Sequence, residues 1–229
     1  MKANETIDSF LNGKLQIIQS QQGYRFSVDA LLLSEFVSVS SEDVVVDLGA
    51  GCGIISLVLA VKRKVGFIAG LELQEELASQ AQRNIALNKL EKKIAIIRGD
   101  LRYLPIGPGF AHVVVCNPPY RRQKSGRINP DSSKAIARHE LSTKVDDILV
   151  AGKALLKPGG RLALIYPANR LAEIFAKMRI QEVEPKRLQI VFPNSSSHAK
   201  LAMIEGRLHG KSGLKILPPL FGQGRFSIV

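Results

Sequence analysis

The sequence feature that most constrains the fold is a glycine-rich segment between two apolar runs. The run Val44–Leu48 is short and rich in β-branched residues, as buried strands are, and the apolar positions of residues 54–62 have the spacing of a buried helix. The two runs are separated by three glycines, Gly49, Gly51 and Gly53. Such a turn lets the main chain approach a ligand closely, with helix-end N–H groups directed at it. The segment predicts a strand, a ligand-binding turn and a helix.

Strand and helix patterns alternate along the rest of the chain. Further strands are predicted at residues 65–71, 94–97, 112–116 and 161–166, and further helices at 74–88, 145–156 and 171–177. The last two predicted strands, 188–192 and 200–207, are joined by a short polar turn and are therefore expected to be antiparallel. Ahead of the sheet we expect a hairpin, residues 15–19 with 24–26, and a helix capped by Ser27. The order predicts an α/β, Rossmann-like fold with a mostly parallel sheet.

Length and composition fit a single domain. The 229 residues can bury one sizeable core, which we divide into an amino-terminal extension (1–38), a core (40–207) and a tail (208–229). The two cysteines, Cys52 and Cys116, lack the spacing of a disulfide framework or a zinc site. No signal segment or stretch of membrane-spanning length is present. We expect a cytoplasmic protein without a metal.

The chain is strongly basic. Lysine and arginine number 32 against 20 acidic residues, for a net charge of +12 and a pI near 9.9. This balance favours a polyanionic partner, although a generally basic surface would give the same total. The basic residues crowd one segment, namely Arg121, Arg122, Lys124, Arg127, Lys134 and Arg138. The clustering predicts a nucleic-acid-binding segment.

Acidic residues stand at three successive strand ends, Asp47, Glu72 and Asp100. The glycine register is G-x-G-x-G, and Ile54 occupies the place of the third glycine of a dinucleotide fingerprint. Glu72 is placed to accept hydrogen bonds from ribose hydroxyls, Asp100 from an adenine amino group, and Asp47 from an ammonium group, directly or through water. The alternative for each acid alone is a capped turn or a surface salt bridge. Together they indicate S-adenosylmethionine.

The tetrapeptide Asn117-Pro118-Pro119-Tyr120 directly follows the predicted strand 112–116. An amide, a proline carbonyl and an aromatic ring suit a planar group that bears an amino group, because two acceptors hold its N–H donors while the ring stacks on its face. The alternative is a strand-ending turn, since consecutive prolines cannot continue a ladder. Beside the glycine turn, the tetrapeptide predicts chemistry at an exocyclic or amide nitrogen.

With these motifs in place, residues 40–207 resemble the class I S-adenosylmethionine-dependent methyltransferases. The resemblance implies a seven-stranded sheet of order 3-2-1-4-5-7-6 whose last hairpin is antiparallel. Outer motifs are similar to the bacterial tRNA1(Val) adenine-37 N6-methyltransferase group. They comprise Thr6-Ile7-Asp8, residues 23–33, Ala137-Arg138-His139-Glu140 and Glu205-Gly206.

The resemblance implies N6-methylation of adenine in RNA, most readily in a tRNA anticodon loop. Asn117 and the Pro118 carbonyl would hold the target amino group, and Tyr120 would stack on the base. The cofactor-binding set is Asp47, Gly49, Ala50, Gly51, Gly53, Glu72, Leu73, Asp100, Leu101 and Asn117. The expected substrate-binding set is Arg25, Phe26, Arg121, Arg122, Lys124, Arg127 and Arg138.

Other substrates use similar chemistry and stay open at this point. They are a glutamine side-chain amide of a protein such as a release factor, adenine in duplex DNA, and guanine N2 in ribosomal RNA. The basic segment after Tyr120 disfavours the glutamine, and the lack of a separate recognition domain disfavours duplex DNA. A non-catalytic RNA-binding module would not require the three strand-end acids, Asp47, Glu72 and Asp100, together with Asn117.

Overall fold

In a computed structural model, the chain forms one large mixed sheet with helices packed on both of its faces. The structure describes residues 4–21, 27–118 and 144–222. In chain order the strands and helices are β1 (Glu5–Phe10), β2 (Leu15–Ser20), α1 (Val28–Phe36), β3 (Val44–Leu48), α2 (Ile54–Lys62), β4 (Phe67–Glu72), α3 (Glu75–Leu87), β5 (Ile94–Arg98), β6 (Ala111–Cys116), α4 (Val145–Leu155), β7 (Leu156–Pro167), α5 (Leu171–Ile180), β8 (Val183–Phe192), β9 (Leu201–Leu208), β10 (Lys215–Ile216) and β11 (Leu220–Phe221).

The sheet has the predicted strand order. Its main path runs β5-β4-β3-β6-β7-β9-β8, which is 3-2-1-4-5-7-6 when β3 is counted as the first strand. Neighbours from β5 to β7 pair in parallel, and β9 is antiparallel to both β7 and β8. Two short strands that the sequence did not predict, β10 and β11, add to the β8 edge. Residues expected to form only a tail therefore extend the seven-stranded sheet.

The core lies in two layers because the central strands bury both faces. In β3, Val45 belongs to the layer under α1 and α2, whereas Val46 belongs to the layer under α4 and α5. Successive side chains of a strand point to opposite faces, so a parallel strand covered on both sides must be apolar throughout. This is why the continuous valine runs of β3 and β6 identified these strands.

The amino-terminal hairpin of the structure includes a strand, β1, that the sequence did not predict. β2 pairs with β1, through a turn at residues 11–14 in which Leu11, Asn12 and Gly13 have positive φ. The sequence did not predict β1 because its residues, ETIDSF, are mostly polar. In the structure the strand is only partly buried. The predicted partner, residues 24–26, lies outside the described residues.

Two local predictions also needed correction. Ser27 occupies the N-cap of α1 but makes no side-chain capping bond there. The strand predicted at residues 161–166 is longer in the structure, since β7 begins at Leu156 directly after α4, and its pairing with β6 shifts register between Leu156 and Arg161. Within the described ranges, none of the helices combines the length and apolar character needed to span a bilayer, and no group of three or more His, Cys, Asp or Glu side chains is arranged to hold a metal.

Candidate active site

Four strand ends meet at one rim of the sheet. Register pairs Leu48 of β3 with Leu71 of β4 and with Cys116 of β6, and Leu71 in turn with Ile97 of β5. The glycine turn, Glu72, Asp100 and Asn117 therefore follow aligned positions of adjacent parallel strands. This is the edge at which open α/β sheets bind ligands.

The glycine turn requires its three glycines. Gly49, Gly51 and Gly53 have φ of 73°, 57° and 85°, a left-handed region that side chains disfavour. The space where Gly49 would carry a Cβ is empty to 4 Å, whereas a Cβ on Gly53 would meet that of Ala81 at 3.3 Å. The Gly49 and Ala50 N–H groups both donate to the Leu71 carbonyl, at 2.9 and 3.0 Å. The turn is tied to β4 and leaves Gly49 open to a ligand.

Glu72 is buried, with 5% of its surface exposed. One carboxylate oxygen accepts from the Gly51 N–H and the other from the Gln74 N–H, both at 2.8 Å. Burial raises the pKa of Glu72, and these main-chain donors oppose the rise. A carboxylate oxygen has a second lone pair, so Glu72 can hold the turn and still accept from a ligand.

Asp47 is completely buried beneath the turn. Its Oδ2 accepts from the Ser56 hydroxyl of α2 at 2.8 Å, and its Oδ1 is buried without a hydrogen-bond partner in the described part of the chain. Burial raises the pKa of Asp47 to about 7, with the Ser56 hydrogen bonds opposing the rise and the charge of Glu72 adding a smaller increase. Ser56 was not predicted from the sequence, where its signal was a lone hydroxyl in the apolar first turn of α2.

Asp100 already has a partner. Both its oxygens accept from Arg102 Nε at 3.0 Å, and Oδ1 also accepts from the Arg102 main-chain N–H at 2.9 Å. The hydrogen bonds from Arg102 lower the pKa of Asp100. Arg102 was likewise not predicted from the sequence. An exposed ion pair contributes only about 0 to 1 kcal/mol, so a ligand amino group can compete for the same oxygens at small cost.

The remaining predicted residues divide between described and undescribed parts of the chain. Asn117 is half-buried and Pro118 buried directly after β6, while Leu73 and Leu101 are half-buried beside the acids of their strands. The predicted residues outside the described ranges are Arg25, Phe26, Pro119, Tyr120, Arg121, Arg122, Lys124, Arg127 and Arg138. The structure thus brings together the predicted cofactor-binding residues, and their roles remain predictions.

Known proteins are similar to this chain in sequence or in fold. A tRNA1(Val) (adenine(37)-N6)-methyltransferase of Shewanella loihica is 32% identical over 156 residues, covering 66% of this chain and 63% of that protein. One of the same name from Parabacteroides distasonis is 26% identical over 193 residues, covering 84% and 80%. M. jannaschii TYW2, solved in complex with AdoMet, aligns with a TM-score of 0.63 at 17% identity, covering 90% of this chain and 87% of that one.

The similarity in structure and the similarity in sequence support different conclusions. The structural neighbour shows the Rossmann-like methyltransferase fold. The chain spans less than two thirds of the length of the Shewanella relative. The model of the methyltransferase small domain family matches residues 26–187, a segment that carries the glycine turn, the three strand-end acids and Asn117. The chain belongs to the methyltransferase small domain family.

Proposed function

We propose that the protein is an S-adenosylmethionine-dependent N6-adenine methyltransferase acting on RNA, specifically on a tRNA anticodon loop. The observation that carries this proposal is the rim where a ligand-accessible glycine turn, three strand-end acids and Asn117 meet. The names of the two sequence relatives support the tRNA adenine substrate. A looped adenine suits the chemistry because it is already unpaired and is extruded at little cost.

The described residues fit S-adenosylmethionine, the group that supplies an activated methyl. Glu72 retains lone pairs for the ribose hydroxyls, and Asp100 exchanges Arg102 for the adenine amino group. The buried Asp47 Oδ1 has no hydrogen-bond partner among the described residues, and it is the acceptor that a ligand ammonium would satisfy, directly or through water. Asp47, Glu72 and Asp100 stand at the ends of three successive neighbouring strands, so they can address the ammonium, the ribose and the adenine along one molecule. The solved complex of M. jannaschii TYW2 with AdoMet, a protein of the same fold, supports S-adenosylmethionine as the cofactor.

Asn117 and Pro118 are proposed to prepare the nucleophile. The N6 nitrogen of adenine is a weak nucleophile because its lone pair is delocalised into the ring. Hydrogen bonds from N6–H to the Asn117 side-chain oxygen and the Pro118 carbonyl would orient that nitrogen and raise its electron density. Catalysis then consists of positioning and electrostatic stabilisation, and no residue forms a covalent bond to substrate.

The chain's charge supports RNA as the partner. A net charge of +12 favours a polyanion through release of counterions. We propose that Tyr120 stacks on the target base and that the basic segment from Arg121 to Arg138 contacts phosphates, with Arg25 and Phe26 also on the substrate side. We further propose that residues 1–229 act as one cytoplasmic methyltransferase domain.

The substrate assignment is tested by methyl transfer in vitro. The purified chain, labelled S-adenosylmethionine and an anticodon stem-loop with adenine after the anticodon should yield N6-methyladenosine, identified by nucleoside mass spectrometry. The control stem-loop carries guanine at that position and should remain unlabelled. Label in a glutamine-containing release-factor peptide but in no RNA would contradict the proposal and assign the protein to amide methylation.

Glu72→Ala is expected to weaken S-adenosylmethionine binding by about 1.5 to 3 kcal/mol, because two ribose hydroxyls lose a charged acceptor. Isothermal calorimetry on the purified variant measures the change. The matched control is Glu75→Ala, which removes the same charge from an exposed position paired with Arg98 and should leave affinity within about 0.5 kcal/mol. Equal affinity of the Glu72 variant and the wild type would remove Glu72 from the cofactor site.

A further inference from the structure

Helix α3 and its C-cap residue hold the amino-terminal hairpin through a row of amide side chains at four-residue spacing, Gln80, Asn84 and Asn88. Asn88 accepts from the Gln16 N–H at 2.9 Å and donates to the Gln16 carbonyl at 2.7 Å. One step along, Asn84 accepts from the Ile18 N–H at 2.7 Å, and Gln80 donates to the Ile18 carbonyl at 2.9 Å. The amides thus bind the edge of β2 as a neighbouring strand would.

The four-residue spacing of these amides follows from the rise per residue of a helix and of a strand. Four residues of helix rise about 6.0 Å, and two residues of strand about 6.6 Å. Side chains at every fourth helical position therefore meet every second residue of a strand lying alongside. An unpaired strand edge exposes main-chain donors and acceptors, and the amides of α3 satisfy them on β2.

Asn84 differs from the other two amides because it also contacts the glycine turn. It is completely buried, and its Nδ2 donates to the Cys52 carbonyl at 2.9 Å while its Oδ1 binds Ile18. Cys52 lies between Gly51 and Gly53, both of which have positive φ. One side chain therefore joins the hairpin, α3 and the turn that faces the candidate cofactor site.

Asn84 binds the turn at a carbonyl that is flanked by two glycines. Glycine on both sides gives the Cys52 carbonyl more conformational freedom than any other residue pair would. The peptide plane that carries this carbonyl also carries the Gly53 N–H, which donates to the Ala50 carbonyl at 2.8 Å. Fixing the carbonyl orientation with Asn84 therefore fixes the Gly53 N–H as well, before any ligand arrives.

We propose that Asn84 is a positioning residue for cofactor binding, which holds the Gly51–Gly53 turn in its ligand-binding shape. The proposal rests on the proposed function, because the ligand of the turn is taken to be S-adenosylmethionine. Asn84 lies beneath the turn and acts on the ligand through the main chain. Its loss should raise the Kd and the KM for S-adenosylmethionine and leave kcat at saturating cofactor unchanged.

The test compares Asn84→Ala with Asn88→Ala in the full-length chain. Both variants release part of the hairpin, but only the first frees the Cys52 carbonyl. The Kd for S-adenosylmethionine, measured by calorimetry, should rise about tenfold in the Asn84 variant, as expected for loss of a buried hydrogen bond. It should stay within about twofold in the Asn88 variant. Equal rises in the two variants, an unchanged Kd in the first, or a fall in kcat as large as the rise in KM would overturn the proposal.

A second variant covers failure of Asn84→Ala to fold. Asn84→Asp keeps the acceptor for the Ile18 N–H and loses the Nδ2 donor to the Cys52 carbonyl, together with a longer 3.4 Å bond to the Ile18 carbonyl. Gln80 still donates to that Ile18 carbonyl, so this variant should retain the hairpin and still raise the Kd by about tenfold. A wild-type Kd in this variant would overturn the proposal. Amide hydrogen exchange of Gly51 and Gly53 provides a readout without cofactor, and faster exchange in the Asn84 variants than in Asn88→Ala is expected. If the wild type bound no S-adenosylmethionine, the proposed function would fall while the exchange comparison still decided the role of Asn84.

Discussion

Asn117→Ala is expected to slow methyl transfer by about a hundredfold or more, as loss of a pre-organised polar partner does at other active sites. S-adenosylmethionine binding should change by less than about 1 kcal/mol. The rate of methyl transfer should change more than the affinity for S-adenosylmethionine, because Asn117 is proposed to bind the target amino group, where charge changes during the reaction. The cofactor is assigned mainly to the ends of β3, β4 and β5. Single-turnover transfer to an adenine-containing anticodon stem-loop measures the chemical step apart from binding.

Asn117→Asp is the matched control for this prediction. A carboxylate keeps an oxygen that accepts from the adenine N6–H, so this variant should retain more activity than Asn117→Ala. Calorimetry with S-adenosylmethionine checks that both variants keep the cofactor site. A full single-turnover rate in the alanine variant would show that the tetrapeptide is a strand-ending turn without a catalytic role.

Asp47→Asn is expected to make the stability of the cofactor-free protein less sensitive to a rise in pH through neutrality. Burial raises the pKa of Asp47 from 3.8 to about 7, so the folded state binds this proton more tightly than the unfolded state. The stability contribution is therefore complete below the unfolded pKa and is lost as pH rises through the folded value. Between pH 5.5 and 8.5 the wild type should lose on the order of 2 kcal/mol of unfolding free energy relative to the variant. Urea unfolding at the two pH values measures this difference.

The same substitution should weaken cofactor binding, since a ligand ammonium favours the ionised carboxylate. In the wild type, S-adenosylmethionine affinity should increase as pH rises through about 7, with proton release detectable by calorimetry in buffers of different ionisation enthalpy. The Asp47 variant should bind weakly and with a flatter pH profile. Asp43→Asn is the control, because Asp43 lies at the other end of β3 and pairs with Arg161. Equal pH profiles of affinity for the wild type and Asp47→Asn would show that Asp47 does not bind the ammonium group of the ligand.

The loss of Asp47 and the loss of Glu72 should differ in their effect on the fold. Glu72 accepts two main-chain hydrogen bonds that hold the turn and the start of α3, whereas Asp47 accepts only from Ser56 in the described part of the chain. A buried carboxylate with one partner lowers stability at neutral pH. Such a group is typical of a functional site, where a ligand supplies the missing partner.

The sequence alone determined the central α/β units and the residues at their ends. The predicted bounds of β3 and α2 match the structure, Val44–Leu48 and Ile54–Lys62. Parallel strands buried on both faces are continuously apolar, and the glycines and acids that follow them mark where each strand stops. Because parallel strands end at a common edge, the spacing of Asp47, Glu72 and Asp100 was enough to predict a shared rim.

Only the tertiary structure decided which side chains those residues meet. Asn84 lies 66 residues from Ile18 and 32 from Cys52, and nothing in the local sequence of α3 identifies either partner. β1 is too polar to be predicted as a strand and exists because β2 supplies its ladder. Ser56 and Arg102 likewise gain their roles from the acids they meet. Periodicity reports which face of an element is buried, but a polar contact depends on where distant elements pack.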